Sequence, residues 1–429
     1  MEVDKVKIGI LGMGTVGGGV VTMLENSGNR LRDKADAELL LERVLVRDLS
    51  RLRTANISEK KLTVDADVIL EDPSIDIIIE LIGGIEPACS YITRALKNGK
   101  YVVTANKALM ATHGADLLAL ARSCKRNIFY EASVGGGIPI IRPLKHCLAA
   151  NQIRRVIGIV NGTTNYILTR MAQDNLGLQE ALSEAQALGF AEADPSDDIE
   201  GKDAACKLVI LAGLAFDSRA DIERVYVQGI DGVTDEDINY AREIGYTVKL
   251  LAIGELLPEG LALRVHPTLV PDTHPLASVK HEFNAVFIEG DAVGEVMFYG
   301  RGAGAMPTAS AVLADVVEAV RCIRYQLPDG AIETTQRKVA HMPVTALTTS
   351  FYLRLLAQDR PGVFAALATA FGDEQVSLDM IIQKRSTEGT AEIVLITHNV
   401  LEETFNRAME KIKQIPAVKQ SPGVIRLLG

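Results

Sequence analysis

With 429 residues, 48% hydrophobic and 23% charged, the chain is too long for one core and ordinary in composition for two or three globular domains. A net charge of −10 offers no basic stripe for nucleic-acid phosphates, and no apolar run reaches the roughly 18 residues of a membrane span. Five scattered cysteines, without Cys-x-x-Cys or paired histidine spacing, argue against a disulfide framework or zinc site and for a reducing, cytoplasmic setting. The opening MEVDKVKIGILG passes straight into a strand pattern with no signal peptide.

Val6–Leu11 is a short β-type run leading into Gly12-Met13-Gly14-Thr15-Val16-Gly17 and then a helical stretch to about Glu25. Strand, GxGxxG, helix is the context that makes this motif a dinucleotide fingerprint. Gly12 permits the tight turn, Gly14 lets the backbone approach a pyrophosphate, and Gly17 allows close packing. Glu38–Arg47 reads as the second strand. Arg47 at its end, with Arg51 or Arg53 nearby, tips the cofactor toward NADP, while Asp48 keeps NAD open. Asp67–Leu70 and Asp76–Ile82 continue the near-continuous apolar pattern of a parallel sheet covered on both faces. Lys100–Thr104 is a further strand, and Lys107 follows Ala105-Asn106 at the carboxyl edge where such sheets bind ligands. After a strand at Asn127–Tyr130, the run Glu131–Pro139 holds three successive glycines. Its exposed carbonyls with Glu131 suit a hard monovalent cation, and a tight turn without metal fits equally well.

Ile153–Asn161 reads as a strand ending in Gly162-Thr163-Thr164-Asn165-Tyr166, a loop of hydroxyls and free N–H groups suited to a carboxylate. Helices Tyr166–Asp174 and Leu178–Leu188 follow. Next comes Ala191–Ala215, in which acidic residues and a proline lead into one helix with Asp203 and Lys207 on one face. The apolar stripe Ala204, Leu208, Leu211 and Ala215 borders that pair. An isolated Asp-x-x-x-Lys is most simply a surface ion pair, and an ammonium at a core edge is also a candidate acid, base or clamp. Strand signals at Ile222–Gln228, Thr247–Glu255, Leu261–Leu269, Ala285–Glu289 and Glu295–Tyr299 suggest a mixed or antiparallel sheet, a platform for dimers. Gly300–Pro307 is a second glycine-rich approach to a helix, Thr308–Arg324. The seven histidines form no cluster and are given no chemistry.

Pro328–Ser350 lacks periodicity and reads as a linker. Beyond it, strand Phe351–Ala357, a Gln358–Val363 turn, helix Phe364–Gly372, strands Val376–Gln383 and Ala391–Thr397, helix Val400–Lys413 and strand Gly423–Leu427 complete a βαββαβ unit. This unit, with its Asp359-Arg360-Pro361-Gly362 turn, resembles an ACT domain, a type that commonly binds amino acids between copies.

The runs GILGMGTVG, TANKALMATHG, EASVGGGIPII, NGTTNYIL, AEADPSDDIEGKDAACKLVIL and GRGAGAMPTASAV, in this order over about residues 1–330, resemble homoserine dehydrogenases. The resemblance implies an α/β chain: a Rossmann-type NAD(P)-binding domain over 1–140 with helix 307–325 packed back on it, and an α+β substrate-binding and dimerisation domain over 141–327. A linker at 328–350 and an ACT regulatory domain at 351–429 complete it. It implies reversible reduction of L-aspartate 4-semialdehyde to L-homoserine. Lys207 then moves the proton on the substrate oxygen, Asp203 lies beside it, and Lys107 touches cofactor and substrate. Glu192 and Asp198, with Gly162 and Thr163, would hold the substrate. Gly12, Met13, Gly14, Thr15, Val16, Gly17, Arg47, Thr104, Lys107, Gly189 and Gly304 would hold NADP, or NAD. Sodium would lie at Glu131, Val134, Gly136 and Ile138, the last three through carbonyls. Phe190 departs from the family's frequent tyrosine. Threonine feedback through the ACT domain and a homodimer or homotetramer are expected. The rival reading is an amino-acid-sensing nucleotide-binding protein without turnover, and a pure sensor has no need of Lys107, Asp203 and Lys207 together.

Overall fold

The computed structural model describes residues 4–50, 56–326, 337–385, 389–419 and 423–429. Arg51, Arg53 and the first part of the expected linker lie outside them. The chain folds into two compact units, one of residues 1–156, 206–223 and 284–339, the other of 157–205, 224–283 and 340–429.

The first unit opens with strand β1 (Lys5–Leu11), helix α1 (Thr15–Ala35), β2 (Glu38–Leu45) and β3 (Leu62–Thr63). Then come α2 (Asp67–Leu70), β4 (Ile77–Glu80), α3 (Ala88–Lys97), β5 (Tyr101–Thr104), α4 (Lys107–Ser123) and β6 (Ile128–Phe129). All six strands are parallel, in the order β3-β2-β1-β4-β5-β6. Runs such as Ile77–Glu80 are buried at every residue, as a sheet covered on both faces requires. Asp67–Leu70, expected as a strand, is instead the single helical turn α2. Its apolar pair Ile69 and Leu70 is fully buried, so a short run of this kind carries no period to separate strand from helix.

The chain enters the second unit within β7 (Ile153–Ile159), forms α5 (Gly162–Asp174), α6 (Leu178–Ala187) and α7 (Ser196–Ile199) there, and returns to the first unit within α8 (Lys202–Ala215). One expectation changes here. Helix α5 begins at Gly162 rather than Tyr166, so the threonines stand in its first turn. The acidic residues lead, as expected, into one helix that holds Asp203 and Lys207; the short turn α7 precedes it and is set apart at Gly201, φ +84°.

Next are β8 (Tyr226–Val227), α9 (Asp235–Glu243), β9 (Tyr246–Leu257), β10 (Gly260–Pro271), β11 (Phe283–Gly290), β12 (Gly294–Arg301) and α10 (Ala305–Tyr325). Of the strand expected at Ile222–Gln228 only β8 forms, preceded by a 3-10 turn at Ile222–Arg224. In the first unit β12 lies beside β11, and α10 lays Val312, Val316 and Val320 into the same core as Ile8, Ile10, Ile79 and Val103. Each such buried side chain contributes roughly 1.5–3 kcal/mol.

The C-terminal part holds β13 (Thr348–Thr349), β14 (Phe351–Gln358), α11 (Val363–Asp373), β15 (Leu378–Arg385), β16 (Thr390–Thr397), β17 (Val400–Leu401), α12 (Glu402–Lys413) and β18 (Gly423–Leu427). This is the expected βαββαβ order with a small added β13–β17 pair. Phe351 and Phe405 stack at 3.8 Å in its core. Within the second unit the strands run β9-β10-β18-β14-β16-β15, because β18 pairs in parallel with β10, Thr268 opposite Arg426 and Leu269 opposite Leu427. Part of the expected linker is also fixed in this unit, where Leu261 exchanges main-chain hydrogen bonds with Ala340 and Met342.

Candidate active site

In the first unit, β1 delivers Gly12 to its carboxyl end at φ +102°, where a Cβ would stand 2.7 Å from the Leu81 carbonyl. Gly14 caps α1 and is exposed, with open space on its Cβ side. Thr15 is exposed as well, while Met13 and Val16 are half-buried against the core. This loop fits a pyrophosphate: the backbone can be approached at Gly14, and α1 presents unpaired N–H groups and its positive end there. Arg47 is exposed two residues beyond β2. The Asp48 carboxylate accepts from the N–H and hydroxyl of Ser50, at 2.8 and 2.7 Å, and so closes its own turn.

At the carboxyl ends of β4 and β5, Glu80 and Thr104 are fully buried, the Thr104 hydroxyl donating to Glu80 Oε2 at 2.6 Å. Glu80 Oε1 accepts the Ile82 and Gly83 N–H groups, and the Asn106 N–H donates to Thr104 Oγ1. Asn106 caps α4 through its Oδ1 and donates to the Gly84 carbonyl at 2.7 Å. Lys107 therefore emerges exposed as the first residue of a helix whose start is fixed from three sides. Sequence reasoning missed Glu80 and Asn106. The signals were available: a carboxylate ending an apolar buried strand, and an Asn just before a helix.

The glycine-rich turn after β6 is anchored rather than open at Glu131. The Glu131 carboxylate, 4% exposed, accepts three main-chain N–H groups, from Ile140, Ile141 and Arg142, at 2.6, 2.7 and 2.9 Å. Asp315 on α10 accepts the Glu131 N–H at 2.8 Å and the Arg142 guanidinium at 2.6 Å. Burial pushes the Asp315 carboxyl up to about 7 against the pull of Arg142. Gly136 backs onto the Gly302 carbonyl, Gly137 donates to the Arg301 carbonyl at 3.0 Å, and Asn284 fills the space where a Gly302 side chain would stand. The two glycine-rich motifs thus interlock. The Glu131 carboxylate is mostly engaged by the turn, its Oε1 accepting two N–H groups and its Oε2 one, so a cation at Glu131, Val134, Gly136 and Ile138 would draw chiefly on main-chain carbonyls. Among the described residues no group of three or more His, Cys, Asp or Glu is placed to hold a metal ion. Gly304, at φ +113°, caps α10.

In the second unit, Asn161 is the organising residue, and its role was not foreseen. Its Nδ2 donates to Asp198 Oδ1 at 2.6 Å and to Asp203 Oδ2 at 2.8 Å. Its Oδ1 accepts from the Thr164 N–H and hydroxyl, capping α5. One buried amide therefore ties the Gly162 turn to both carboxylates. Thr163 donates to the Phe190 carbonyl at 2.7 Å, which joins that turn to the Gly189-Phe190 bend. The Phe190 ring lies 4.9 Å from Tyr166. Glu192 is exposed just beyond, its carbonyl held by Gln186 at 3.1 Å. Asp203 is 4% exposed and Lys207, one turn further along α8, is half-buried.

A parallel sheet with this glycine loop, and a helix offering an aspartate–lysine turn, define a dinucleotide-dependent oxidoreductase. The homoserine dehydrogenase NAD-binding domain model matches residues 12–131, the homoserine dehydrogenase model 139–317, and the ACT domain model 351–417. A homoserine dehydrogenase of Synechocystis sp. is 46% identical over 99% of this chain and 100% of its own length. The crystal structure of a homoserine dehydrogenase from Thiobacillus denitrificans superposes with a TM-score of 0.93 at 41% identity, covering 99% of this chain and 98% of that one. A hyperthermophilic archaeal homoserine dehydrogenase in complex with NADPH aligns at a TM-score of 0.63 and 28% identity, over 76% and 99%. The chain belongs to the homoserine dehydrogenase family and carries an ACT domain. It is an oxidoreductase using a nicotinamide cofactor. No described helix is long and apolar enough to cross a membrane.

Proposed function

We propose that the chain interconverts L-homoserine and L-aspartate 4-semialdehyde with NADP, and that Lys207 handles the proton. The observation that carries the role assignment is the Asn161 clamp, which ties Asp198 to Asp203, the residue one helical turn before Lys207 on α8. A dinucleotide held by the Gly12–Gly17 loop would supply, through its nicotinamide, the hydride acceptor in oxidation and the donor in reduction. In reduction, charge grows on the aldehyde oxygen; the Lys207 ammonium stabilises it and gives up a proton to form the hydroxyl. In oxidation the neutral amine takes that proton back as the C–H bond breaks. Asp203 orients substrate and lysine. Glu192 and Asp198 meet the substrate ammonium, the Gly162-Thr163 turn its carboxylate, and Lys107 contacts cofactor and substrate.

NADP is favoured over NAD by two observations: Arg47 is exposed past β2, and the Asp48 carboxylate is engaged in its own turn. NADPH in the archaeal relative agrees with this preference. Met13, Thr15, Val16, Thr104, Gly189 and Gly304 complete the cofactor contacts. Sodium is part of the proposal at Glu131 and at the main-chain carbonyls of Val134, Gly136 and Ile138. Threonine is the proposed effector of the ACT domain, and the working enzyme is a homodimer or homotetramer. Five free cysteines support a cytoplasmic setting.

The test is a spectrophotometric assay of L-homoserine oxidation with NADP or NAD, with and without threonine, on the full chain and Lys207→Ala. Turnover is expected to fall more than about a hundredfold in the variant while NADPH still binds. Near-normal turnover would remove Lys207 from the proton-transfer role.

A further inference from the structure

In the first unit a cavity of about 70 Å³ lies between α4 and α8, away from the glycine loop. Its floor is apolar. Met110, Gly114 and Leu118 follow one another at four-residue steps along one face of α4, opposite Ile210, Gly213 and Leu214 of α8. The glycines let their neighbours pack close: a Cβ at Gly114 would stand 3.3 Å from the Met110 side chain and one at Gly213 3.5 Å from the Ser218 carbonyl.

The mouth is of opposite character. Arg122, Lys145 and Arg219 line it, and no acidic residue does so among the described residues. Lys145 Nζ stands 4.4 Å over the Tyr130 ring, which holds that charge at the rim. Arg219 shares its charge with Asp116 at 3.3 Å. Ser218, also in the lining, is fully buried and its hydroxyl has no hydrogen-bond partner among the described residues. At roughly 10–15 Å³ for each water-sized occupant, the cavity takes about five or six heavy atoms.

We infer that this cavity binds a small monocarboxylate with a short apolar body, and that occupancy adjusts the spacing of the two helices bearing Lys107 and Lys207. The carboxylate sits among the three cations, where a charge-assisted contact is strongest. The hydrocarbon end enters between the helix faces. Lys107 opens α4 and Lys207 lies one turn before the cavity wall on α8, so a wedge between these helices reaches the reaction through both. The binding claim stands on the cavity alone; the kinetic effect rests on the proposed roles of the two lysines.

The test uses butyrate as probe, with the neutral isostere butyramide and with butylammonium, followed by ligand-observed NMR titration of the full chain at saturating L-homoserine. The same titration is run on Ala115→Leu, which fills the cavity from α4, and on Lys145→Gln. Butyrate is expected to bind at least about tenfold more tightly than butyramide, with no binding of butylammonium. Its affinity should fall about tenfold or more in Ala115→Leu and severalfold in Lys145→Gln. The rate of L-homoserine oxidation should change with butyrate in the unaltered chain and not in Ala115→Leu. Equal affinity for butyrate and butyramide, or undiminished binding in Ala115→Leu, overturns the site. Binding with no change in rate overturns the coupling to the lysine helices. Because binding is read without turnover, a failure of the site is distinct from a failure of the proposed catalytic roles.

Discussion

Arg426 and Glu402 form a buried two-point pair, Nε to Oε2 at 2.9 Å and Nη2 to Oε1 at 2.5 Å. The same guanidinium donates to Gln228 Oε1 at 3.0 Å and lies 4.7 Å over the Tyr226 ring. Burial opposes the Arg426 charge, yet the bonds to Glu402 hold its pKa up. Arg426→Met strands the Glu402 carboxylate and should cost about 3–5 kcal/mol, read by urea unfolding. The double variant with Glu402→Met should recover most of that loss. A single-variant cost below about 1 kcal/mol would mean the pair is effectively hydrated.

Asn161→Ala removes a helix cap and the amide that joins Asp198 to Asp203. The cap alone is worth about 1 kcal/mol, so the protein should remain folded with a lowered Tm. Steady-state kinetics should show kcat/KM for L-homoserine down by at least about tenfold. Loss of stability with unchanged kcat/KM would reduce Asn161 to a cap.

Gly14→Ala separates binding from folding. The backbone there is at φ −82° and nothing lies within 4 Å of the added methyl, so Tm should not move. The methyl occupies the approach path of the pyrophosphate, and the KM for NADP should rise at least about tenfold. Gly302→Ala is its counterpart: the collision with Asn284 predicts a lowered Tm. Identical behaviour of the two variants would contradict the placement of the cofactor loop.

Lys249 predicts a pH effect. Its ammonium donates to Asn165 Oδ1 at 2.9 Å and to the Val279 carbonyl, is 2% exposed, and faces the charge of Lys280. Burial pushes its pKa from 10.5 down to about 7. Between those values the unfolded chain carries a proton that the folded chain has shed, so stability rises with pH across that window. Lys249→Met should flatten the rise in Tm between pH about 7.5 and about 9.5. Parallel slopes in both proteins would show that Lys249 does not contribute.

Local order was the legible part. The Gly12–Gly17 turn, the buried strands and the βαββαβ order each follow from neighbours in sequence, and each is present. Asp67–Leu70 was misread because four apolar-rich residues fit either period. Helix α9 was missed because its first turn is acidic and its apolar face is short, although the Thr234–Asp237 capping box marked its start. The break at Gly201 was also readable in principle, since a glycine amid helical residues often marks a stop. The Asn161 clamp was not readable: it joins positions 37 and 42 residues apart, through space alone.

The parallel pairing of β18 with β10 makes the C-terminal domain a poor candidate for removal or exchange. Cutting after the expected linker would uncover Thr268 and Leu269, both without exposure, and Asp237, which now receives Arg354 at 2.6 Å and Tyr352 at 3.1 Å. A shortened enzyme would therefore carry a new sticky edge and a stranded buried carboxylate. Insensitivity of such a fragment to threonine would report damage, so the proposed threonine response has to be tested by point substitution in the whole protein.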